Sequence, residues 1–454
     1  MTRPARLLLV LGGLTILAGL AAGVERFPPP QFESGYQLPQ TTTPPPQADG
    51  LAWLDLAVLA ACLLLSIRLI LTKRSRRGVF WLMLIVLGYF GLWRKGCICP
   101  IGAIQNISLA IFEPAYAIPL TVIAFFALPI LATLFYGRVF CGGVCPLGAL
   151  QDVVVIKPIQ LPRWLEHALR FLAYLFLGAA VLFAATGSAF IICQYDPFVS
   201  FFRLSGGIFI LILGACLLLL GLFIGRPYCR FLCPLGIIFR HASRFSAKRV
   251  TITPADCIQC RLCEDACPFN AIDPPNTQMP VPGSRRKLAL LILLLPVLVG
   301  VGGFLVSRLS QPFSRMHATV RLADRIWLEE NGKVQGALDE SDAFRTTGRA
   351  PAELYRDAQA IQGKFQAGTW IYGGFLGLVL AGSLIQLSVK RTRTGYEANR
   401  ANCFACGRCY QACPVDRQWR EENSNIKILN SKQSGQNHKQ TAKISKKEEK
   451  ISLS

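Results

Sequence analysis

Long apolar runs punctuated by short basic stretches dominate the chain, and they set the expected fold. Eight of them approach the roughly 20 residues an α-helix needs to cross a bilayer core: 6–23, 51–71, 78–93, 117–136, 168–188, 206–225, 288–307 and 369–389. The pattern predicts a mainly α, polytopic transmembrane helical bundle of about eight spans, the third being the shortest. Arg3 and Arg6 ahead of the first run, and the small residues Gly19 to Gly23 closing it, also fit a cleaved signal peptide. From 27 to 47 the chain holds seven prolines and no lysine or arginine, which predicts an extended polyproline-type tether. Helical spacing returns in 308–368, where Pro351 suits a first turn and Leu354, Ala358, Ile361 and Phe365 share one face. Two or three short helices are expected there, covering the outer mouth of the bundle by packing on the membrane surface or by docking a partner. After Trp419 large apolar residues all but vanish, and the tail reads as disordered.

Composition agrees: 52% of residues are hydrophobic and only 16% charged. The net charge of +22 does not point to nucleic acid, because the basic residues sit beside the spans rather than along one soluble face. Lys73, Arg74, Arg76 and Arg77, then Arg285, Arg286 and Lys287, then Lys390, Arg391 and Arg393 flank spans two, seven and eight, which makes those flanks cytoplasmic by the positive-inside rule. Both termini then lie in the cytoplasm, and 24–50, 94–116, 189–205 and 308–368 lie outside.

Cysteine spacing supplies the chemistry. Cys257, Cys260, Cys263 and Cys267 form C-x2-C-x2-C-x3-C followed by Pro268, and Cys403, Cys406, Cys409 and Cys413 repeat it before Pro414. This is the bacterial ferredoxin pattern for a 4Fe-4S cluster, in which the fourth cysteine of each run ligates the other run's iron. The expected sets are Cys257, Cys260, Cys263 and Cys413 for one cluster, and Cys403, Cys406, Cys409 and Cys267 for the other. Two separated segments must therefore meet as one cytoplasmic ferredoxin-like module. Structural zinc, which takes paired C-x2-C knuckles, fits two complete runs poorly.

A second motif is internal. Gly137-Arg-Val-Phe-Cys141-Gly-Gly-Val-Cys145-Pro146-Leu147-Gly148 recurs as Gly225-Arg-Pro-Tyr-Cys229-Arg-Phe-Leu-Cys233-Pro234-Leu235-Gly236, each copy directly after an apolar run. A partial third copy begins at Cys97-Ile-Cys99-Pro100. Cys141, Cys145, Cys229 and Cys233 are enough for an all-cysteine cluster, but C-x3-C puts two thiols one helical turn apart with or without iron, so a redox-active dithiol and plain packing stay open. Cys97, Cys99 and Cys193 fall together at the outer face, where a cluster and a disulfide are the alternatives. Cys62 and Cys216 read as packing residues. Arg230, Lys248, Arg249, Arg261 and Arg408 neighbour the motifs; they suit reduced clusters electrostatically, and membrane anchoring explains most of them equally well.

The chain thus divides into a first span with tether (1–50), a transmembrane core (51–245), a first ferredoxin segment (246–284), a transmembrane hairpin with its loop (285–395), a second ferredoxin segment (396–418) and the tail (419–454). The paired C-x3-C-P motifs and ferredoxin runs resemble the NosR/NapH-type membrane polyferredoxins across 79–273, and 316–416, with Arg321-Leu-Ala-Asp-Arg-Ile-Trp327-Leu-Glu-Glu330, is similar to the carboxyl part of NosR. The resemblance implies electron transfer from quinol or a cytoplasmic donor towards a periplasmic reductase, specifically the nitrous oxide reductase system, as a component rather than a stand-alone enzyme. A redox-sensing or cofactor-maturation role for a periplasmic metalloenzyme is the alternative. The flavin-binding module of NosR has no counterpart in the short stretch 24–50, so covalent flavin is not expected. Neither is haem, because His167, His241, His317 and His438 never pair within a span.

Overall fold

The computed structural model describes residues 49–96, 100–156, 158–203, 207–252, 257–276, 284–336, 338–388, 393 and 395–418. The expected first span, the proline-rich tether, Cys97, Cys99 and the tail lie outside these residues. Among the described residues, five helices are long and apolar enough to cross a membrane: Gly50–Thr72, Arg76–Trp93, Arg163–Ala185, Leu288–Ser307 and Pro351–Ser388. The expected spans at 117–136 and 206–225 are shorter apolar helices, Leu120–Tyr136 and Ile208–Gly221. A further apolar helix, Pro100–Phe112, occupies what the sequence suggested was loop.

The first two long helices each end in a π-helical turn, Arg68–Thr72 and Leu87–Trp93. Asp55 on the first is held by Tyr89 (2.9 Å) and Arg94 (2.7 Å) from the second, a carboxylate satisfied inside apolar surroundings. Leu288–Ser307 leaves most of its side chains uncovered, Leu290 and Leu293 among them, which suits contact with lipid. It closes on the last helix through glycines. A Cβ on Gly302 would collide with the carbonyl oxygen of Gly373, and one on Gly377 with that of Leu298, so the backbones touch as small-residue membrane interfaces allow.

Pro351 opens a helix as its spacing predicts, but the helix does not stop where the loop was expected to end. It continues unbroken through Ser388, 38 residues in all, about 57 Å at 1.5 Å per residue and so far longer than a bilayer core. Its first turns are covered by protein: Leu354 and Ala358 join Val320, Ala323, Ile326 and Phe344 in a small core with the helices Ala318–Glu330 and Asp339–Thr346. Leu354, Ala358 and Ile361, expected to pack on the membrane surface or to dock a partner, pack on these two helices instead, while Phe365 joins the main core against Phe183.

At the other end of the bundle the two ferredoxin segments meet. Ile272–Asp273 and Glu397–Ala398 pair as antiparallel strands in the register Ile272↔Ala398 and Asp273↔Glu397. Asp273 fixes the junction by accepting from Asn399 (3.0 Å) and pairing with Arg393 (2.9 Å). Phe269 and Phe404, one from each segment, pack with tilted rings, centroids 4.6 Å apart.

Candidate functional site

Both ferredoxin loops wind the same way. Positive φ falls two and four residues after the first cysteine of each, at Gln259 (54°) and Arg261 (64°) in one and at Ala405 (52°) and Gly407 (74°) in the other. Three of these four are not glycine, so the left-handed conformation is held against its steric cost. Alternating handedness of this kind turns successive backbone N–H groups inward, forming a concave nest for anionic sulfur. Ala405 N–H donates to Cys403 Sγ, and Ala271 N–H to Cys267 Sγ, both at 3.4 Å.

The structure brings Cys257, Cys260, Cys263 and Cys413 around one cavity, closed by Ile252, Ile258, Arg261, Tyr396 and Val415. Three come from the first run and one from the second. Cys260 and Ile258 are exposed, so this pocket lies at the rim of the module. Cys267 in turn lies near Cys403, Cys406 and Cys409, close enough for their charges to act on one another. Burial pushes Cys263 up to about 11 and Cys403 up to about 12, and it raises Cys267 and Cys409 too. Without iron these pockets favour neutral thiols, so metal binding must release protons.

The repeat forms a third gathering of sulfur with approximate two-fold correspondence. Cys145 and Cys233 each cap a helix that starts at the following proline, their sulfurs accepting from Gly148 N–H and Gly236 N–H at 3.4 Å. Cys145 and Cys229 are in hydrogen-bonding contact, which together with burial holds the Cys145 thiol well above its ordinary range. Cys233 is raised by burial and by its neighbours Cys145 and Cys141. Gln151 fastens the copies together: its Nε2 donates to Cys229 Sγ (3.2 Å) and its Oε1 accepts from Tyr228 N–H (3.0 Å). The two arginines that open the copies reach across. Arg226 donates to the carbonyl of Cys141, while Arg138 stands 3.9 Å over the Phe404 ring with Nη2 3.9 Å from Cys141 Sγ.

Two glycines let the ferredoxin loops sit directly on this motif. A Cβ on Gly142 would meet the carbonyl oxygens of Phe404 and Ala405 at 2.6 Å, and one on Gly225 would meet that of Pro268 at 2.7 Å. Asp152 ties the layers: fully buried, it pairs with Arg76, with Arg226 (3.4 Å) and with Arg408 (3.4 Å). Burial opposes its charge, but the three guanidinium groups prevail and hold its carboxyl well below the usual range.

Some basic residues counted as membrane anchors turn out to be internal fasteners. Arg74 pairs with Asp416 (2.7 Å), Arg76 also donates to the carbonyl of Cys406 (3.2 Å), and Arg230 pairs with Glu166 (3.0 Å). Reading the sequence missed Arg138, Arg226, Gln151 and Asp152. The two arginines were signalled by their identical place in the repeat; Asp152 carried no local signal. Of the outer set, Cys97 and Cys99 lie outside the described residues. Cys193 lies beside the first turn of Pro100–Phe112, 3.5 Å from where a Cβ on Gly102 would be. Gln105 treats it as Gln151 treats Cys229: Nε2 is 3.6 Å from Cys193 Sγ and Oε1 accepts from Ile192 N–H at 2.6 Å.

Models described as 4Fe-4S binding domains match 118–158 with 206–253, then 250–273, then 400–416, so the repeat and both ferredoxin runs are covered. NirI of Paracoccus denitrificans (strain Pd 1222) is 33% identical over 222 residues, 46% of this chain and 32% of NirI, so the chain spans about a third of that relative. YccM of Escherichia coli (strain K12), named for electron transport, is 33% identical over 118 residues, 24% of this chain and 33% of YccM. The uncharacterised protein MJ0750 of Methanocaldococcus jannaschii is 31% identical over 193 residues, 40% of this chain and 77% of its own length. The chain belongs to the membrane polyferredoxins. Its long apolar helices and its matched 4Fe-4S binding domains are those of such a protein. No solved structure matches it.

The pockets fit iron–sulfur groups. Four sulfurs surround a cavity at the rim, and the matched loops aim N–H groups at their sulfurs. Among the described residues no three His, Cys, Asp or Glu side chains converge on a point that one ion would fill. A ring of sulfurs about a void suits a cubane, which is held from outside, better than a single zinc.

Proposed function

We propose that this polyferredoxin holds two 4Fe-4S clusters in the crossed sets, Cys257, Cys260, Cys263 with Cys413 and Cys403, Cys406, Cys409 with Cys267, and a third at Cys141, Cys145, Cys229 and Cys233. Bound clusters supply reversible one-electron exchange. The chain supplies their spacing, burial and local charge. The observation that carries the reading is the seating of the second ferredoxin loop on the repeat, with Phe404 between Arg138 and Phe269 and Gly142 against its backbone. Such contact leaves no layer of solvent between neighbouring electron carriers.

The module and both termini face the cytoplasm of a bacterial inner membrane in this reading, supported by the basic flanks of the spans. Quinol or a low-potential cytoplasmic donor feeds the chain, and a periplasmic reductase receives the electrons. The resemblance to NosR supports the nitrous oxide reductase system as that acceptor. The shared handling of Cys193 by Gln105 and Cys229 by Gln151 supports a further sulfur site with Cys97 and Cys99 towards the opposite face. One other observation, the Cys145–Cys229 contact, favours thiol redox chemistry and hence the sensing or maturation role.

Iron and acid-labile sulfide per purified chain, with EPR of the reduced protein, test this. The ferredoxin pair alone gives about eight irons, the repeat site about twelve, and an outer site about sixteen. Zinc in place of iron, or no cluster signal, would overturn the reading. Unchanged electron flux with a metal-deficient periplasmic partner after deletion would favour maturation.

A further inference from the structure

Beside the ferredoxin module, the start of Arg163–Ala185, the end of Pro351–Ser388 and the helix Pro234–Ser243 enclose a cleft of about 920 Å³ that none of the cluster chemistry uses. Seven arginines line it against three carboxylates, Glu166, Asp273 and Glu397. Arg163 and Arg393 pair with Asp273, and Arg170 with Glu166. Among the described residues, Arg240, Arg244, Arg249 and Arg400 have no carboxylate within ion-pair distance. Arg240 is the informative one. It is 7% exposed, its Nη1 donates to Asn402 Oδ1 (2.8 Å), and its Nε has no hydrogen-bond partner. A buried guanidinium without a counter-ion is costly unless an anion reaches it.

The position of the cleft says which anion. Its wall includes Ile385, Gln386 and Leu387, the last turn of a membrane helix, with Leu387 45% exposed. Trp164, 67% exposed, follows Arg163 on the opposing helix end, and exposed tryptophan marks the headgroup level of a bilayer. A soluble acidic protein would have no use for that apolar wall. A basic pocket between membrane-helix ends matches an anionic headgroup whose acyl chains run down the helices.

We propose that this cleft binds the phosphate headgroup of an anionic phospholipid, with Arg240, Arg244, Arg249 and Arg400 as its cationic wall. A narrow void beneath shares Glu166, Arg170, Arg240 and Asn402 with the cleft and reaches Cys229 and Gly236. The bound phosphate therefore lies one layer of side chains from the repeat cysteines.

The test uses the full chain, purified with its iron and reconstituted in phosphatidylcholine nanodiscs with or without cardiolipin. Wild type retains cardiolipin by native mass spectrometry and melts at a higher temperature in its presence. Arg244→Gln with Arg400→Gln weakens that binding about 30-fold, the effect of removing two basic residues near an anionic lipid surface. Iron and sulfide content report whether the double variant is folded; should they fall, Arg244→Lys must retain lipid where Arg244→Gln loses it. Equal cardiolipin binding by wild type and variant overturns the proposal. So does stabilisation by free pyrophosphate in detergent without lipid retention, which assigns the cleft to a soluble phosphate compound, or rescue by an acidic protein alone, which assigns it to a docking partner.

Discussion

The two ferredoxin pockets share one loop geometry and differ in everything around it. The rim pocket of Cys257, Cys260, Cys263 and Cys413 has exposed Cys260 and Ile258 at its mouth. The inner set, with Cys267 and Cys406 buried, has Arg76 on the Cys406 carbonyl, Arg138 over Phe404 and the Phe269–Phe404 contact around it, and its loop rests on the repeat. A site open to solvent can exchange electrons with a mobile partner. A site packed on another sulfur site can pass them inward. In the function proposed above, this contrast in exposure orders the carriers as rim, inner set, repeat.

The largest effect expected from breaking this comparison is loss of a whole cluster. Cys413→Ser should remove about four irons per chain and the rim signal, although Cys413 belongs to the second run; Cys267→Ser should do the converse. EPR of each variant with iron analysis separates the outcomes, and a Cys413→Ser protein that loses only the inner signal disproves the crossed sets. Next comes Asp152→Asn. Three arginines lose their shared charge, and a broken buried pair costs about 3–5 kcal/mol. The inner and repeat sites should become labile in chelator challenge while the rim pocket, which Asp152 does not touch, keeps its iron.

Much of this architecture was legible beforehand. The ferredoxin runs and the duplicated cysteine motif follow from spacing, because ligand geometry fixes which residues must recur, and the crossed pairing is the proposal that spacing motivates. What could not be read was how layers meet. Gly142 and Gly225 looked like parts of a repeat, and only the approach of Ala405 and Pro268 shows that no side chain fits there. Arg74 and Arg76 obey the positive-inside pattern, yet their partners Asp416 and Asp152 lie 342 and 76 residues away, beyond any local signal. The 38-residue helix was split in two because hydropathy changes along it while helical spacing does not.

Those close contacts yield a smaller, sharper test. Gly142→Ala puts a methyl group against the Phe404 and Ala405 carbonyls, and overpacking of this kind costs about 1–3 kcal/mol. The loop should lift from the repeat, slowing electron transfer between inner and repeat sites in freeze-quench EPR while leaving rim reduction unchanged. Arg138→Gln tests charge in place of contact. Removing a cation beside Phe404 and Cys141 should lower the inner and repeat potentials by about 60 mV, a tenfold change for a one-electron couple, with the rim potential fixed.

The mildest contrast is in the thiols of the iron-free protein. A thiol whose folded pKa is raised is favoured in its neutral form, so its contribution to stability is complete below the unfolded value and is lost as pH climbs towards the folded one. Cys403 is raised from 9.0 to about 12 and Cys263 from 9.0 to about 11, both by burial. The iron-free module should therefore be insensitive to alkali up to about pH 9 and lose stability progressively from there to about pH 12. Alkylation followed by peptide mapping divides the pockets: exposed Cys260 reacts first, and Cys403 reacts only once the inner pocket opens or its thiol ionises. If Cys403 is modified as fast as Cys260 at neutral pH, the inner pocket is as open as the rim, and the order of carriers inferred from burial fails with it.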